Sequence, residues 1–346
     1  MLDPSIPLAI YLQDSLGLDF GKMGYGILRY SPNPVVCVID SNHAGKMVCD
    51  VVDSPRNVPV VATLAEAIQM GSKAVVLGTA PSGGIIPDSW RPIITRTIEQ
   101  GLSLINGLHE PLAPQFPDLK PGQFVWDIRQ EPKNLTPGNG AARFLTNRRI
   151  LTVGTDMAVG KMTTSLEIQK SAVAAGIDAA FLATGQIGIS LSGAGVPLDA
   201  VRVDYASGAI EKEILKYQDR PWVIIEGQGS LVHPGSTATL PLLRGSMPTD
   251  LILCVRAGQT HLTRSMEVPI PMPPLPSLIR LYEDLATVSG NFPAAKVRGI
   301  SVNSGHMSEE EAKIHIDEIS EITGLPTCDA IRSSAGLLVE ALIQAS

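Results

Sequence analysis

Cysteine is scarce in this chain: 346 residues carry four, Cys37, Cys49, Cys254 and Cys328. No two share a Cys-x-x-Cys spacing, which argues against a zinc site and for reduced thiols in a cytoplasmic setting. Basic blocks are also missing. The formal net charge is −7 and the isoelectric point ≈ 5.4, so nucleic acid is not an expected partner. No apolar run approaches the length of a membrane span. Residues 1–16 contain Asp3 and Asp14 and lack a basic region, so they are not expected to act as a secretion signal. Apolar residues, in contrast, are plentiful, at 44% hydrophobic against 18% charged. That suffices for a sizeable core and is too apolar for disorder. The length suggests two domains.

The first half alternates strand and helix patterns. Short apolar strands are predicted at 35–40, 58–61, 74–78 and 102–105, with helices over 63–70 and 89–100. Continuous apolar strands separated by helices give a parallel sheet covered on both faces. Ligands of such sheets bind at the carboxyl ends of the strands, where Asp40, residues 78–84 and residues 106–109 are expected. Gly21-Lys22-Met23-Gly24-Tyr25-Gly26 is glycine-rich, but no strand is predicted before it, so it fails the context of a dinucleotide fingerprint. Asp40 could hold a ribose hydroxyl, although a cap on the turn at Ser41-Asn42 is the preferred reading. His43 is read as a surface loop residue. The strand-helix order, with Asp40 at a strand end and Ala44-Gly45-Lys46 after it, resembles the CoA-binding domain of succinyl-CoA synthetases. Residues 111–140 are rich in proline and glycine and read as a connector, ordered in part around Phe124, Val125 and Trp126. The boundary falls near residue 140, giving a Rossmann-like domain over 1–140 and a second domain over 141–346. Arg143, Arg148 and Arg149 could sit near the phosphate site, although exposed connector charges are the preferred reading.

The stretch around which the second domain is organised is Gly154-Thr155-Asp156-Met157-Ala158-Val159-Gly160-Lys161-Met162-Thr163-Thr164. A strand at 150–153 leads in and a helical pattern running to Ala175 leads out. Strand, glycine loop bearing Gly-Lys, then helix is the order of a phosphate cradle. Its glycines let N–H groups crowd an anion, the helix start adds unpaired donors, and Lys161 adds a full charge. Two features depart from the usual form. Five residues separate Gly154 from Gly160, and Met162 stands where a magnesium-binding hydroxyl is usual, with Thr163 and Thr164 one position late.

Strand and helix continue to alternate. Strands are predicted at 179–184, 222–225, 251–255 and 298–303, a short one at 201–204, and helices at 208–217, 277–288, from Ser308, and at 333–343. A capping box at Ser308 and Glu311 supports the third of these helices. Residues 185–195 read as a flexible glycine-rich loop, and the proline-rich 268–276 as an extended arm. The strand at 222–225 runs straight into Glu226-Gly227-Gln228-Gly229. An acid ending a buried strand next to a phosphate loop is placed to reach a metal, and the alternative is a cap on the next turn. Glu226 and Thr163 are therefore candidate metal ligands, and Asn303, ending the strand at 298–303, could read a base edge.

The loop and the Glu-Gly-Gln-Gly element resemble those of dethiobiotin synthetase and the cobyrinic acid amide synthases, P-loop enzymes that phosphorylate a carboxylate or carbamate. A closer resemblance spans nearly the whole chain. The loop with its Met162, Thr184-Gly185-Gln186-Ile187-Gly188, Asp199-Ala200-Val201, and Glu226-Gly227-Gln228-Gly229-Ser230-Leu231 with His233-Pro234 are similar to the DgcN-like family. That family was long catalogued as a domain of unknown function. The resemblance implies an α/β fold with a Rossmann-like half and a P-loop half. It also implies N-acetyl transfer from acetyl-CoA to a D-amino acid such as D-glutamate. Acetyl transfer needs a neutral amine, a proton acceptor and donors for an oxyanion. His233 is the candidate base, Glu226 can hold a metal or act on the amine, and Arg256 and Arg264 are candidate cations for an acidic substrate. CoA phosphates suit a loop that binds an anion without cleaving it. The rival expectations are an ATP-dependent kinase or ligase using Mg²⁺, and a nucleotide-sensing regulator. A homo-oligomer is also expected.

Overall fold

The computed structural model describes residues 2–79, 84–262, 269–288 and 290–345. It divides the chain into two compact units. The first comprises Met1–Glu131 and Gln186–Ala200, the second Pro132–Gly185 and Val201–Ser346. The division thus falls before the proline-rich segment has ended, and a later piece of chain returns to the first unit. Glu211 shows why 132–141 belongs to the second. Its carboxylate accepts hydrogen bonds from the N–H groups of Asn139, Gly140 and Ala141.

In the first unit the elements run β1 (Leu8–Tyr11), α1 (Lys22–Tyr30), β2 (Val35–Ile39), β3 (Val60–Val61), α2 (Leu64–Gln69), β4 (Ala74–Leu77), α3 (Arg91–Glu99), β5 (Ser103–Asn106) and β6 (Val125–Asp127). The sheet order is β3-β2-β1-β4-β5-β6 and every pair is parallel. One expectation changes here. A strand does precede the glycine-rich segment: β1 lies in the middle of the sheet, within the five-residue apolar run Leu8 to Leu12. The glycines themselves lie in and beside α1, where they serve close packing. A Cβ on Gly24 would sit 2.8 Å from Leu12 Cδ1, and one on Gly26 would overlap Ile187. Asp40 does cap the turn. Its Oδ1 accepts from Asn42 N at 3.2 Å and its Oδ2 pairs with His43 Nδ1 at 2.6 Å. α2 starts with a capping box, Thr63 with Glu66.

The second half runs β7 (Arg148–Gly154), α4 (Lys161–Ala174), β8 (Ala179–Leu182), α5 (Gln186–Ser192), α6 (Val203–Ile214), β9 (Trp222–Ile225), α7 (Thr239–Ser246), β10 (Asp250–Arg256), α8 (Leu275–Thr287), β11 (Lys296–Asn303), α9 (Glu309–Thr323), β12 (Thr327–Cys328) and α10 (Gly336–Gln344). Its sheet order is β12-β11-β10-β7-β9-β8, again all parallel. β7 and β10 are the central, almost wholly buried strands. Each fully buried Leu, Ile or Val there contributes about 1.5–3 kcal/mol.

Three local expectations are overturned. The flexible loop at 185–195 contains α5, part of the first unit, with Ile189 buried and the Ser190 and Ser192 hydroxyls returned to the helix's own carbonyls. The strand at 201–204 is the start of α6, whose first turn carries Asp204 where an acid favours a helix N-terminus. Arg148 and Arg149 are strand residues rather than exposed connector charges. Arg149 is 1% exposed and donates to the carbonyls of Leu145, Asn147, Ser246 and Met247. Arg148 and Arg298 clamp the buried carboxylate of Asp250. Among the described residues no helix is long and apolar enough to cross a membrane.

Candidate functional site

The site in the second unit begins where β7 ends. β9 lies directly beside β7, with Leu151 opposite Ile225, so the loop after Gly154 and the acid at Glu226 emerge from neighbouring strands at one sheet edge. Two residues of the loop take the left-handed conformation, Ala158 at φ 57° and Gly160 at φ 102°. That conformation is natural for glycine and costs alanine about 1–2 kcal/mol. The turn lets α4 start at Lys161. The first turn of α4 leaves the N–H groups of Lys161, Met162 and Thr163 without acceptors inside the helix, and these are the donors an anion would use.

The loop is pinned from three sides. Thr155 N donates to Cys254 O of β10 at 3.0 Å. The Tyr282 hydroxyl, from α8, donates to Gly154 O at 2.7 Å. Ser230 Oγ donates to Thr155 O at 3.1 Å. Asp156, fully buried, accepts from its neighbour Met157 N at 2.6 Å and from Gln259 Nε2 at 2.6 Å. Val159 is buried beneath the loop. None of Cys254, Gln259, Ser230 or Tyr282 was a candidate from sequence. Ser230 stands in the Glu-Gly-Gln-Gly-Ser-Leu element without a role of its own, and Cys254, Gln259 and Tyr282 have no spacing that ties them to a loop up to 128 positions away.

Lys161 is buried, and its Nζ donates to Asp156 O at 2.8 Å inside the loop. Burial pushes its ammonium down from 10.5 to about 8, against the opposing pull of Cys254, Asp156 and Glu226. Beneath it, Thr152 Oγ1 meets Ser165 Oγ at 2.9 Å and accepts from Gly227 N at 2.9 Å. Gly227 is a close-approach glycine: a Cβ there would overlap the Thr152 carbonyl oxygen and lie 3.0 Å from Lys161 Cδ.

Glu226 is buried at the end of β9. Its Oε2 accepts from Thr184 N at 2.8 Å and Gly185 N at 3.0 Å, while Thr184 Oγ1 donates to its backbone carbonyl. Gln228 and Gly229 follow, with Gln228 O accepting from Thr239 Oγ1 and Gly229 at φ 69°. The structure therefore gathers Gly154, Asp156, Lys161, Glu226 and Gly227 into one neighbourhood. Asn303 joins them, its Nδ2 3.7 Å from where a Gly160 Cβ would be. The threonines divide. Thr164 turns inward to Ser301 Oγ at 2.8 Å, whereas Thr163 and Met162 stay half-buried at the helix start. His233 is buried in the next turn, and its Nδ1 accepts from Gly235 N at 3.0 Å. In a neutral imidazole that accepts this bond, Nε2 carries the ring proton. Arg256 is exposed at the end of β10. Arg264 lies outside the described residues, as do Val268 and part of the 78–84 segment.

As a metal centre the donor set is thin. Among the described residues no group of three His, Cys, Asp or Glu side chains comes together, and one Glu226 oxygen already serves two backbone donors. As an anion cradle it is well supplied, with a buried lysine, helix-start N–H groups and glycines at the points of closest approach.

Comparisons with known proteins agree with this architecture. A family model described as a domain of unknown function (DUF1611_C) P-loop domain matches residues 136–339, and one described as a DUF1611_N Rossmann-like domain matches residues 41–131. A D-glutamate N-acetyltransferase of Tritonibacter scottomollicae is 36% identical over 97% of this chain and 98% of its own. Another of that name, from a Pseudoalteromonas species, is 38% identical over 80% of this chain and 83% of its own. The crystal structure of a DUF1611 family protein from Anabaena variabilis superposes with a TM-score of 0.94 at 47% identity, covering 98% of this chain and 100% of that one. With both halves matched in order and relatives alike from end to end, the chain belongs to the DUF1611 family, a Rossmann-like unit joined to a P-loop unit.

Proposed function

We propose that the chain is an N-acetyltransferase that carries the acetyl group of acetyl-CoA to the amine of a D-amino acid, with D-glutamate the first candidate. The observation that carries the proposal is the likeness to the D-glutamate N-acetyltransferase of Tritonibacter scottomollicae across 97% of this chain. The geometry of the second unit favours the same reading, because its loop is built to hold phosphate without breaking it. Met162 replaces the hydroxyl that ordinarily ligates magnesium, and the Thr164 hydroxyl is committed to Ser301.

Acetyl-CoA supplies an activated thioester and, with its diphosphate and ribose phosphate, the anions to be held. Lys161 Nζ leaves Asp156 O for a phosphate oxygen, and the N–H groups at the start of α4 complete the cradle. Glu226, anchored through Oε2, is the proton acceptor for the substrate ammonium. His233, with its Nδ1 already accepting, offers Nε2–H to the carbonyl oxygen as charge develops there. Arg256 is an exposed cation available to an acidic acceptor.

The test is to mix the protein with acetyl-CoA and D-glutamate, without ATP or added metal, and follow free CoA thiol and N-acetyl-D-glutamate together. One-for-one appearance of the two is expected, with Lys161→Ala raising KM for acetyl-CoA. Phosphate released from Mg·ATP in place of thiol would identify an ATP-dependent kinase or ligase. Tight nucleotide binding with neither product would identify a sensor.

A further inference from the structure

The first unit holds a second cluster of charge that the P-loop does not use. It lies at the carboxyl ends of β5 and β6, where parallel α/β sheets take their ligands. Arg129 follows β6 and His109 follows β5. Both face Asp199, which lies on the 186–200 segment of the same unit, with Arg129 Nη2 3.1 Å and His109 Nε2 3.9 Å from Asp199 Oδ2.

The support beneath the cluster is rigid. Asn106 is fully buried; its Nδ2 donates to Glu110 O and Asp127 Oδ1, and its Oδ1 accepts from Leu108 N. The Asp127 carboxylate also accepts from the N–H groups of Leu112 and Ala113. His109 N donates to Gly84 O at 3.0 Å, and a Cβ on Gly84 would overlap the His109 ring. The segments after β5 and β6 that carry His109 and Arg129 are therefore tied together by backbone and side-chain bonds.

The pairing they serve is poor by comparison. The Arg129 side chain is 12% exposed while Asp199 is 42% exposed. Among the described residues Arg129 Nε is buried with no hydrogen-bond partner. The same chain shows what a buried arginine with a purely structural role looks like. Arg149 places Nε on Ser246 O and Met247 O and Nη1 on Leu145 O and Asn147 O. Arg129 instead has one oxygen of a half-exposed acid on Nη2 and nothing on Nε. Nε and a terminal nitrogen are an edge with which guanidinium grips a carboxylate through two parallel bonds. Asp199 leaves half of the Arg129 fork unused.

We propose that Arg129, with His109 beside it, is a receptor for the carboxylate of a small acidic ligand, which Asp199 fills in this structure as an internal stand-in. As a carboxylate site it stands on this geometry alone. A ligand carboxylate takes both Nε and Nη2, and Asp199 turns out to solvent.

The experiment is calorimetric titration of the full chain with D-glutamate and with glutarate, which has two carboxylates and no amine. Wild type, Arg129→Lys and Asp199→Asn are compared, with acetyl-CoA binding as the control for folding. Arg129→Lys keeps the charge but loses the fork, and should weaken both ligands by about tenfold or more. Asp199→Asn removes the competing carboxylate from an exposed position and should tighten both. Acetyl-CoA should bind all three proteins alike. If neither ligand binds, or both variants bind them as wild type does, the cluster is a structural ion pair and the proposal fails. It fails also if inorganic phosphate binds at Arg129 in preference to glutarate. Arg129-dependent glutarate binding without any acetyl transfer would sustain this site while removing the function proposed for the chain.

Discussion

Lys161 offers the sharpest perturbation, because the same burial that suits it to phosphate makes it costly without phosphate. The depression from 10.5 to about 8 corresponds to about 3 kcal/mol between charged and neutral forms. The folded-state value lies below the unfolded one, so between pH 8 and 10.5 the unfolded chain binds more protons. Stability from this group therefore rises with pH through that window, and the penalty is present in full below pH 8. Lys161→Met keeps the aliphatic stem and removes the charge. It also strands Asp156 O, the acceptor of the Nζ bond, at a cost of about 1–3 kcal/mol. The variant should gain up to about 2 kcal/mol at pH 7, where a domain of this size shifts roughly 2–4 °C per kcal/mol. Thermal melts at pH 7 and pH 10 are the assay, and the variant's advantage should shrink at the higher pH. A variant that melts below wild type at pH 7, or a difference insensitive to pH, would refute the reasoning. Ligand binding reports the same charge from the other side. A phosphate-bearing ligand restores the ammonium, so acetyl-CoA binding at pH 8 should take up a fraction of a proton. Calorimetry in two buffers of different ionisation enthalpy measures that uptake, which should vanish at pH 6.

Two further substitutions test the frame around this lysine. Gly227→Ala puts a Cβ against the Thr152 carbonyl, a backbone group of a strand paired on both sides. It should cost about 1–3 kcal/mol by overpacking and weaken acetyl-CoA binding, and an unchanged melt with unchanged binding would show that β7 and β9 can part locally. At the other end of the sheet, burial works to raise the Asp250 carboxyl, yet hydrogen bonds from Arg148, Arg298 and Thr249 prevail and hold it below its ordinary 3.8. Its stabilisation is present above that value and is lost as pH falls through the lower folded-state value. Asp250→Asn should cost about 3–5 kcal/mol near neutral pH by leaving two arginines under-compensated and should flatten the acid limb of a stability profile, which denaturant titration between pH 2 and 7 would reveal.

The sequence disclosed the elements that depend on pattern and hid those that depend on partners. Strands such as 222–225 and 251–255 stood out because both faces are buried, so nothing interrupts their apolar run. The capping box at Ser308 was readable because both partners lie within one turn. β1 is equally apolar but short, four residues, with no helix pattern close behind it to mark it as one of an alternating series. α5 was hidden by Gly188, its two serines and the glycines on either side, whose place in or beside a helix depends on packing against α1 rather than on propensity. At the site, the glycine-lysine loop and Glu226 carried their own signature, since phosphate binding requires those residue types at that spacing. The loop's anchors did not. Tyr282, Cys254 and Gln259 reach it from elements far along the chain, and no local rule connects a tyrosine on α8 to a carbonyl on β7.

The two charged clusters share one device. In each unit a cation is kept mostly out of water and held by an acceptor belonging to the protein, Asp156 O for Lys161 and Asp199 for Arg129. A buried cation with no acceptor would titrate or destabilise the fold. One with a full complement, as Arg149 has, would have nothing left for a ligand. A single, replaceable acceptor lies between these limits. Binding then becomes an exchange of one oxygen for another, so the desolvation of the cation has already taken place during folding and does not weigh against affinity. The stability cost worked out for Lys161 is therefore the counterpart of its readiness to bind. The same logic makes removal of the internal acceptor, as in Asp199→Asn, a substitution that should strengthen binding where most substitutions at a charged site weaken it.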